Sequence, residues 1–348
     1  RDRDAIITRE GLIFRVFGYS HPPHAFVCDA EYASANIFTS NDSRALRTGG
    51  NQVFYKFYFD EGWKLVFSRF PQYTVFHEML GQKVVGVNQE DIAEMRKPEE
   101  RLQVLAEAAP TDALHGAMQR LLNMVLQGSN LSVANFGVFG SMLHGFHHPK
   151  FSDIDLLVYG RKENAKTRET LRALYASSRS GFRNEFDADS AVKGKQWLFK
   201  NYSVKEFLWH QKRKLIYALF DDAKSGRTIK AEFEPVRSWH EIHNEYNAKT
   251  RIGRLGWVKM IARVTDDREG GFMPSIYYIE PVELLEGTKT EGIERVVSFV
   301  EEFRMQAKKD ELVYIEGNLE MVEAAKPHHQ IVLTHGRRYY EQVLKVTR

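Results

Sequence analysis

Cysteine is almost absent from this 348-residue chain, with Cys28 the single example. One thiol excludes an internal disulfide and any multi-cysteine metal site, and it fits a reducing, cytoplasmic compartment best. Long apolar runs are missing as well. No stretch of about eighteen apolar residues occurs, so no membrane span is expected. The opening Arg1-Asp2-Arg3-Asp4 lacks the apolar segment of a signal peptide. Internal repeats and low-complexity tracts are also missing, which excludes solenoids and fibrous arrays.

What is present is an ordinary globular composition, 43% hydrophobic and 27% charged, in a chain long enough for two or three domains. The net charge of +3 is unevenly placed. Residues 156–260 hold 22 Lys and Arg against 12 Asp and Glu, whereas the remainder holds 27 against 34. Such asymmetry fits a polyanionic partner or a solvated basic face, and charge alone does not separate the two.

Residues 1–87 read as a β-rich N-terminal domain, with strand-like text at Gly11–Phe17, Val53–Phe59 and Trp63–Phe67. Helical signals follow from Asn88, where Pro98 could break or restart a helix. Thr111 is the expected cap of a stronger helix carrying Leu114, Met118, Leu121, Leu122 and Val125 at 3.6-residue spacing, stopped at Gly128. Strands are expected at Leu131–Phe139, Ile154–Val158 and Thr228–Phe233, and helices at about 163–177 and 203–220. From 251 the text is β-rich again, broken by one expected helix at about 290–308. A closed or half-closed β-barrel of OB-like or similar kind is expected there. The fold class is thus α+β, with domains expected at 1–87, 88–250 and 251–348.

The most informative stretch runs from Phe139 to Gly160. A strand ends in Gly140-Ser141, a helical turn bearing Gly145 follows, and a second strand opens on Asp153-Ile-Asp155. In a strand, residues i and i+2 share a face, so Asp153 and Asp155 present two carboxylates together while Ile154 faces the core. Adjacent carboxylates repel unless a cation lies between them. Magnesium takes hard oxygen ligands and completes its shell with substrate phosphates. At Gly140-Ser141 the backbone can approach a phosphate unobstructed, and its amides can donate to it. In the strand Ile229-Lys-Ala-Glu-Phe-Glu-Pro235, Lys230, Glu232 and Glu234 face one way and Ile229, Ala231 and Phe233 the other.

Gly-Ser, a glycine four residues after the serine, and Ser-Asp-Ile-Asp-Leu together resemble the pattern of the DNA polymerase β nucleotidyltransferase superfamily. The resemblance covers about 111–236. The N-terminal text Asp4–Val16 is similar to an uncharacterised archaeal group of predicted nucleotidyltransferases. In one departure from the superfamily pattern, Asp153 follows Ser141 by 12 positions, about one more than expected, with the extra residue in the loop His147–Phe151.

The resemblance implies a polymerase β-like domain, a nucleoside triphosphate substrate, and Mg2+ or Mn2+ held by Asp153, Asp155 and a third carboxylate. It points to Glu232 as that carboxylate, three residues before Pro235, with Glu234 the alternative. Glu232 would accept the proton of the attacking hydroxyl or bind a second metal. Gly140, Ser141 and His144 are the nucleotide-binding candidates. His144, His147 and His148 crowd one loop, as metal or phosphate ligands or as ordinary loop histidines. Lys212-Arg-Lys214 is a candidate nucleic-acid contact or a solvated face. His328-His329 and Arg337-Arg-Tyr-Tyr340 mix basic and aromatic residues that could stack bases or fill a core. Three function classes remain: nucleotidyl transfer to RNA, the same chemistry on a protein or small molecule (AMPylation-type), and a non-catalytic nucleic-acid-binding protein.

Overall fold

The computed structural model describes residues 1–49, 52–187, 192, 197–336 and 338–347. The chain forms two compact units. The first comprises Arg1–His77, Gln82–Arg183 and Ala218–Tyr246; the second comprises Glu78–Gly81, Asn184–Tyr217 and Asn247–Arg348. Residues 1–77 and most of the central region therefore share one unit, and the basic stretch 156–260 is divided between the two.

The N-terminal part of the first unit is an eight-stranded sheet. Its long strand Ala25–Ser34 pairs with Leu12–Val16, Gln52–Lys56 and Gln82–Asn88. Trp63–Phe67, expected as a strand, instead lies in the helix Glu61–Arg69. Gly62, Leu65 and Val66 form its buried face. A methyl group on Gly62 would lie 3.0 Å from both Ala30 and Phe57, so the helix seats closely on the sheet.

The central part is a five-stranded sheet ordered Phe182–Asn184, Tyr217–Asp222, Arg227–Val236, Ile154–Tyr159, Phe136–Val138. Pro98 starts the helix Pro98–Glu107 at its first turn, where proline lacks no needed donor. The helix Ala113–Ser129 is capped by Asp112, whose side chain accepts from the amides of Leu114 and His115, rather than by Thr111. It ends at Asn130 in the left-handed conformation, beyond Gly128. Leu114, Met118, Leu121, Leu122 and Val125 pack on Ile154, Leu156, Val158, Ala231 and Phe233 in one core. That core takes one face of the central strands, which leaves the polar residues of the same strands on the other. The expected strand at Leu131–Phe139 is reduced to Phe136–Val138, preceded by a 3-10 turn at Val133–Asn135.

The second unit holds the helix Val204–Lys214 and a set of C-terminal strands. The helix stops short of the expected 220 because Leu215 turns left-handed at φ 58°, and the chain continues as the strand Tyr217–Asp222. The strands Arg251–Glu269, Ser275–Glu286, Ile293–Ser298, His328–Leu333 and Leu312–Glu323 pair in that order, and the last pairs back to the first. The ring is antiparallel except between Ile293–Ser298 and His328–Leu333. Its interior is filled by Val258, Met260, Ala262, Ile279, Val296, Ile315, Leu319 and Ile331, among others. The helix expected at about 290–308 is replaced by the strand Ile293–Ser298 and a 3-10 turn at Glu301–Phe303. Branched Val296 and Val297 suit the strand, and both edges of that strand are needed to complete the ring.

Candidate active site

Asp155 lies on the strand Ile154–Tyr159, with Asp153 just before it. Ile154 points into the core, so the two carboxylates lie on the opposite face. In the parallel ladder Asp155 is in register with Glu232, and Leu157 with Glu234. Residues in register on adjacent strands share a face, so Asp155, Glu232 and Glu234 project to the same side. Glu232 is half-buried. Glu234 is buried and accepts from the guanidinium of Arg3 through Nε at 2.8 Å and through Nη2.

Gly140-Ser141 opens the single helical turn Gly140–His144, capped by left-handed Gly145. The amide of Phe139 donates to the Asp155 carbonyl at 3.0 Å and ties the start of this turn to the Asp strand. Gly140 has φ +61°, and a methyl group built on it would lie 2.6 Å from Asp155 Oδ2. The position thus has two reasons for glycine: a left-handed backbone and a carboxylate pressed against its Cα.

Electrostatics single out Asp155. Burial pushes its carboxyl from 3.8 up to about 7, and the negative charge of Asp153 pushes the same way. Lys56 opposes the rise; Glu234 and Glu31 add to it. Glu31, on the strand Ala25–Ser34, is itself raised by burial and lowered by Arg15, Lys56 and Arg3. The N-terminal sheet therefore lends charged groups of both signs to the carboxylate face.

The three loop histidines are dispersed. His144 stacks on Phe146 at 5.0 Å and meets the edge of Tyr32 at 5.4 Å. Burial, with Arg96 beside it, lowers its pKa to about 3 and keeps it neutral. His147 contacts the carboxylate of Asp112 at 2.9 Å. His148 accepts from the Lys150 amide at 3.1 Å and lies against Phe151. Arg227 donates to the carbonyls of Pro149 and Ser152, which fixes the chain just ahead of Asp153. The extra loop residue is thus taken up between two anchored ends.

The expected nucleic-acid contact Lys212-Arg-Lys214 is not an open cationic face. Lys214 is fully buried and donates to the Glu302 carbonyl at 2.6 Å. Arg213 pairs with Glu311 and covers Trp209 at 4.5 Å. Lys212 pairs with Asp187 at 2.6 Å. The register of the helix Val204–Lys214 sends its last lysine inward, and two neighbouring acids take up the others. Tyr339 and Tyr340 pack against the ring's core, whereas Arg337 lies outside the described residues.

Among the described residues no three His, Cys, Asp or Glu converge as a ready-made metal group. The adjacent pair Asp153 and Asp155 still fits a divalent cation. Their oxygens are hard ligands, and burial first, then the charge of Asp153, raises the Asp155 carboxyl; a cation would offset the repulsion between the two. Two carboxylates are what magnesium commonly takes from protein when phosphates and water complete its shell. Residues that sequence reasoning missed are Arg3, Glu31, Lys56 and Arg227. All lie far along the chain from the aspartates, and only Lys56 stood out, as an isolated charge within Val53–Phe59.

Residues 119–219 match the family model of the nucleotidyltransferase domain. Over its whole length the chain is similar to an uncharacterized protein, MJ1086, of Methanocaldococcus jannaschii. The two are 26% identical, across 100% of this chain and 99% of that protein. No solved structure matches. No helix among the described residues is long and apolar enough to cross a membrane.

Proposed function

We propose that the protein is a metal-dependent nucleotidyltransferase that moves a nucleoside monophosphate from a nucleoside triphosphate to a hydroxyl of RNA. The observation that carries the chemistry is the packing of Gly140 against Asp155, with Glu232 in register beside it. Ser141 and the backbone at Gly140 would hold the triphosphate. Asp153 and Asp155 would hold Mg2+ or Mn2+, which would neutralise phosphate charge and draw electrons from the reacting phosphorus. The acceptor oxygen forms a bond to the α-phosphorus, the bond from that phosphorus to the bridging oxygen breaks, and pyrophosphate leaves. Glu232 takes the proton of the attacking hydroxyl. His144, neutral and within an aromatic cluster, shapes the site rather than ligating metal.

The C-terminal ring supports RNA as acceptor. Five strands closed as a Greek-key barrel are the architecture of OB-type domains, which bind oligonucleotides. Incubation with each labelled nucleoside triphosphate, Mg2+ and mixed cellular RNA should yield labelled RNA and pyrophosphate. Asp153→Ala and Asp155→Ala should abolish both while the circular dichroism spectrum stays unchanged. Label on protein instead would favour AMPylation, and no turnover with any acceptor would refute the enzyme reading.

A further inference from the structure

The barrel carries a pocket of about 360 Å³ lined by Arg254, Asn318, Thr334, His335, Gly336, Arg338 and Gln342. That volume lies within the range of small-ligand sites. Among the described residues, two arginines line it and no carboxylate does.

The sequence builds this pocket in three steps. First, the ladder between the strands Arg251–Glu269 and Leu312–Glu323 slips one residue between Arg254 and Gly256, so that Arg254 faces Glu320 and Trp257 faces Asn318. Glu320 and Asn318 are two apart and share a face, so the slip turns Arg254 and Trp257 to the same side. Leu319 fills the barrel core, which makes that side the outer one. Second, the segment after the strand His328–Leu333 is clamped by Gln342. Its side chain accepts from the Thr334 amide at 2.6 Å and donates to the carbonyls of Thr334 and Tyr339. Third, this segment lays Arg338 on the indole of Trp257, 3.6 Å from the ring centroid, and stacks His335 on Tyr339 at 4.7 Å and 10°.

The acids nearby do not cancel this preference. Arg254 is 4.0 Å from Glu320, the outer limit of an ion pair, and Glu320 also accepts from Gln330 at 2.9 Å. Glu341 tethers Arg338 through Nε at 2.7 Å and is shared with Lys200. A guanidinium laid flat on an indole leaves a planar edge that matches phosphate oxygens, and flat cationic and imidazole rings are surfaces on which a base stacks.

We propose that this pocket binds one phosphorylated nucleotide unit of single-stranded RNA, with Arg254 and Arg338 on the phosphate and the His335 and Arg338 planes against the base. The proposal rests on the reading of RNA as acceptor and adds where the barrel would grip it. The test is fluorescence anisotropy of a labelled single-stranded octaribonucleotide with the full chain, without metal or triphosphate, across a salt series. Arg254→Ala with Arg338→Ala should weaken binding about tenfold or more and lower the logarithmic salt slope by about 0.7, one phosphate's worth. Arg338→Lys keeps the charge but not the planar stack, so it should weaken binding while preserving the slope. Wild-type binding that the double variant leaves unchanged would overturn the pocket and leave RNA as acceptor standing. Failure of the wild-type chain to bind would remove the RNA reading and the pocket assignment together.

Discussion

Arg3 and Glu234, 231 positions apart in the chain, form a buried ion pair on the face that carries Asp155. The pair divides the two glutamates of the strand Arg227–Val236 between two roles. Glu234 is engaged by a guanidinium, whereas Glu232 is in register with Asp155. Glu232→Gln should therefore cut turnover about 100-fold or more, at a smaller cost in urea stability than the same change at Glu234. Glu234→Gln should instead cost about 3 kcal/mol, because it removes one charge of a buried ion pair. Steady-state assays beside urea melts check both. The reverse pattern would make Glu234 the third carboxylate.

Gly140 gives an independent handle on the same site. Gly140→Ala forces a side chain into a left-handed backbone, at about 1–2 kcal/mol, and into the space of Asp155 Oδ2. Melting temperature should fall, and turnover should fall at least tenfold because Asp155 must move. Gly226→Ala also carries a positive φ, but it has nothing within 4 Å of the added carbon. It should lose stability alone. Equal turnover losses in the two variants would argue that backbone strain, not the displaced carboxylate, matters at Gly140.

Much of this site was legible in the sequence because its logic is local. Alternation in Ser-Asp-Ile-Asp-Leu places Ile154 in the core and both aspartates outside it, and Ile229-Lys-Ala-Glu-Phe-Glu shows the same split. The misread segments have periodicities that fit two states. Trp63–Phe67 alternates over too few residues to distinguish a strand from one buried helical stripe, and the close seat of Gly62 on Ala30 decides for helix. At 290–308 the strand is fixed by two partners, Ser275–Glu286 and His328–Leu333, which no local pattern announces. Lys212-Arg-Lys214 looked like an open basic run because burial of Lys214 depends on a carbonyl 88 residues away. Arg3 could not be found by spacing at all.

The raised carboxyl of Asp155 makes a prediction about pH that needs no substrate. Burial first, then the charge of Asp153, moves it from 3.8 to about 7. Between roughly pH 4 and 7 the folded chain holds a proton that the unfolded chain has released. Folding is therefore opposed increasingly as pH rises through that window, and the penalty is constant above it. The full shift corresponds to about 4 kcal/mol, and solvent relaxation around a half-buried group reduces this to about 1–3 kcal/mol. Asp155→Asn abolishes this titration. In a metal chelator the variant should melt higher than the wild-type chain at pH 8, by a margin that shrinks toward pH 4. Adding millimolar Mg2+ at pH 8 should raise the wild-type melting temperature and close the gap, because a cation on Asp153 and Asp155 offsets the repulsion that the variant has already lost. Parallel stability curves for the two proteins from pH 4 to pH 8, unmoved by Mg2+, would show that Asp155 carries neither the buried charge nor the metal assigned to it.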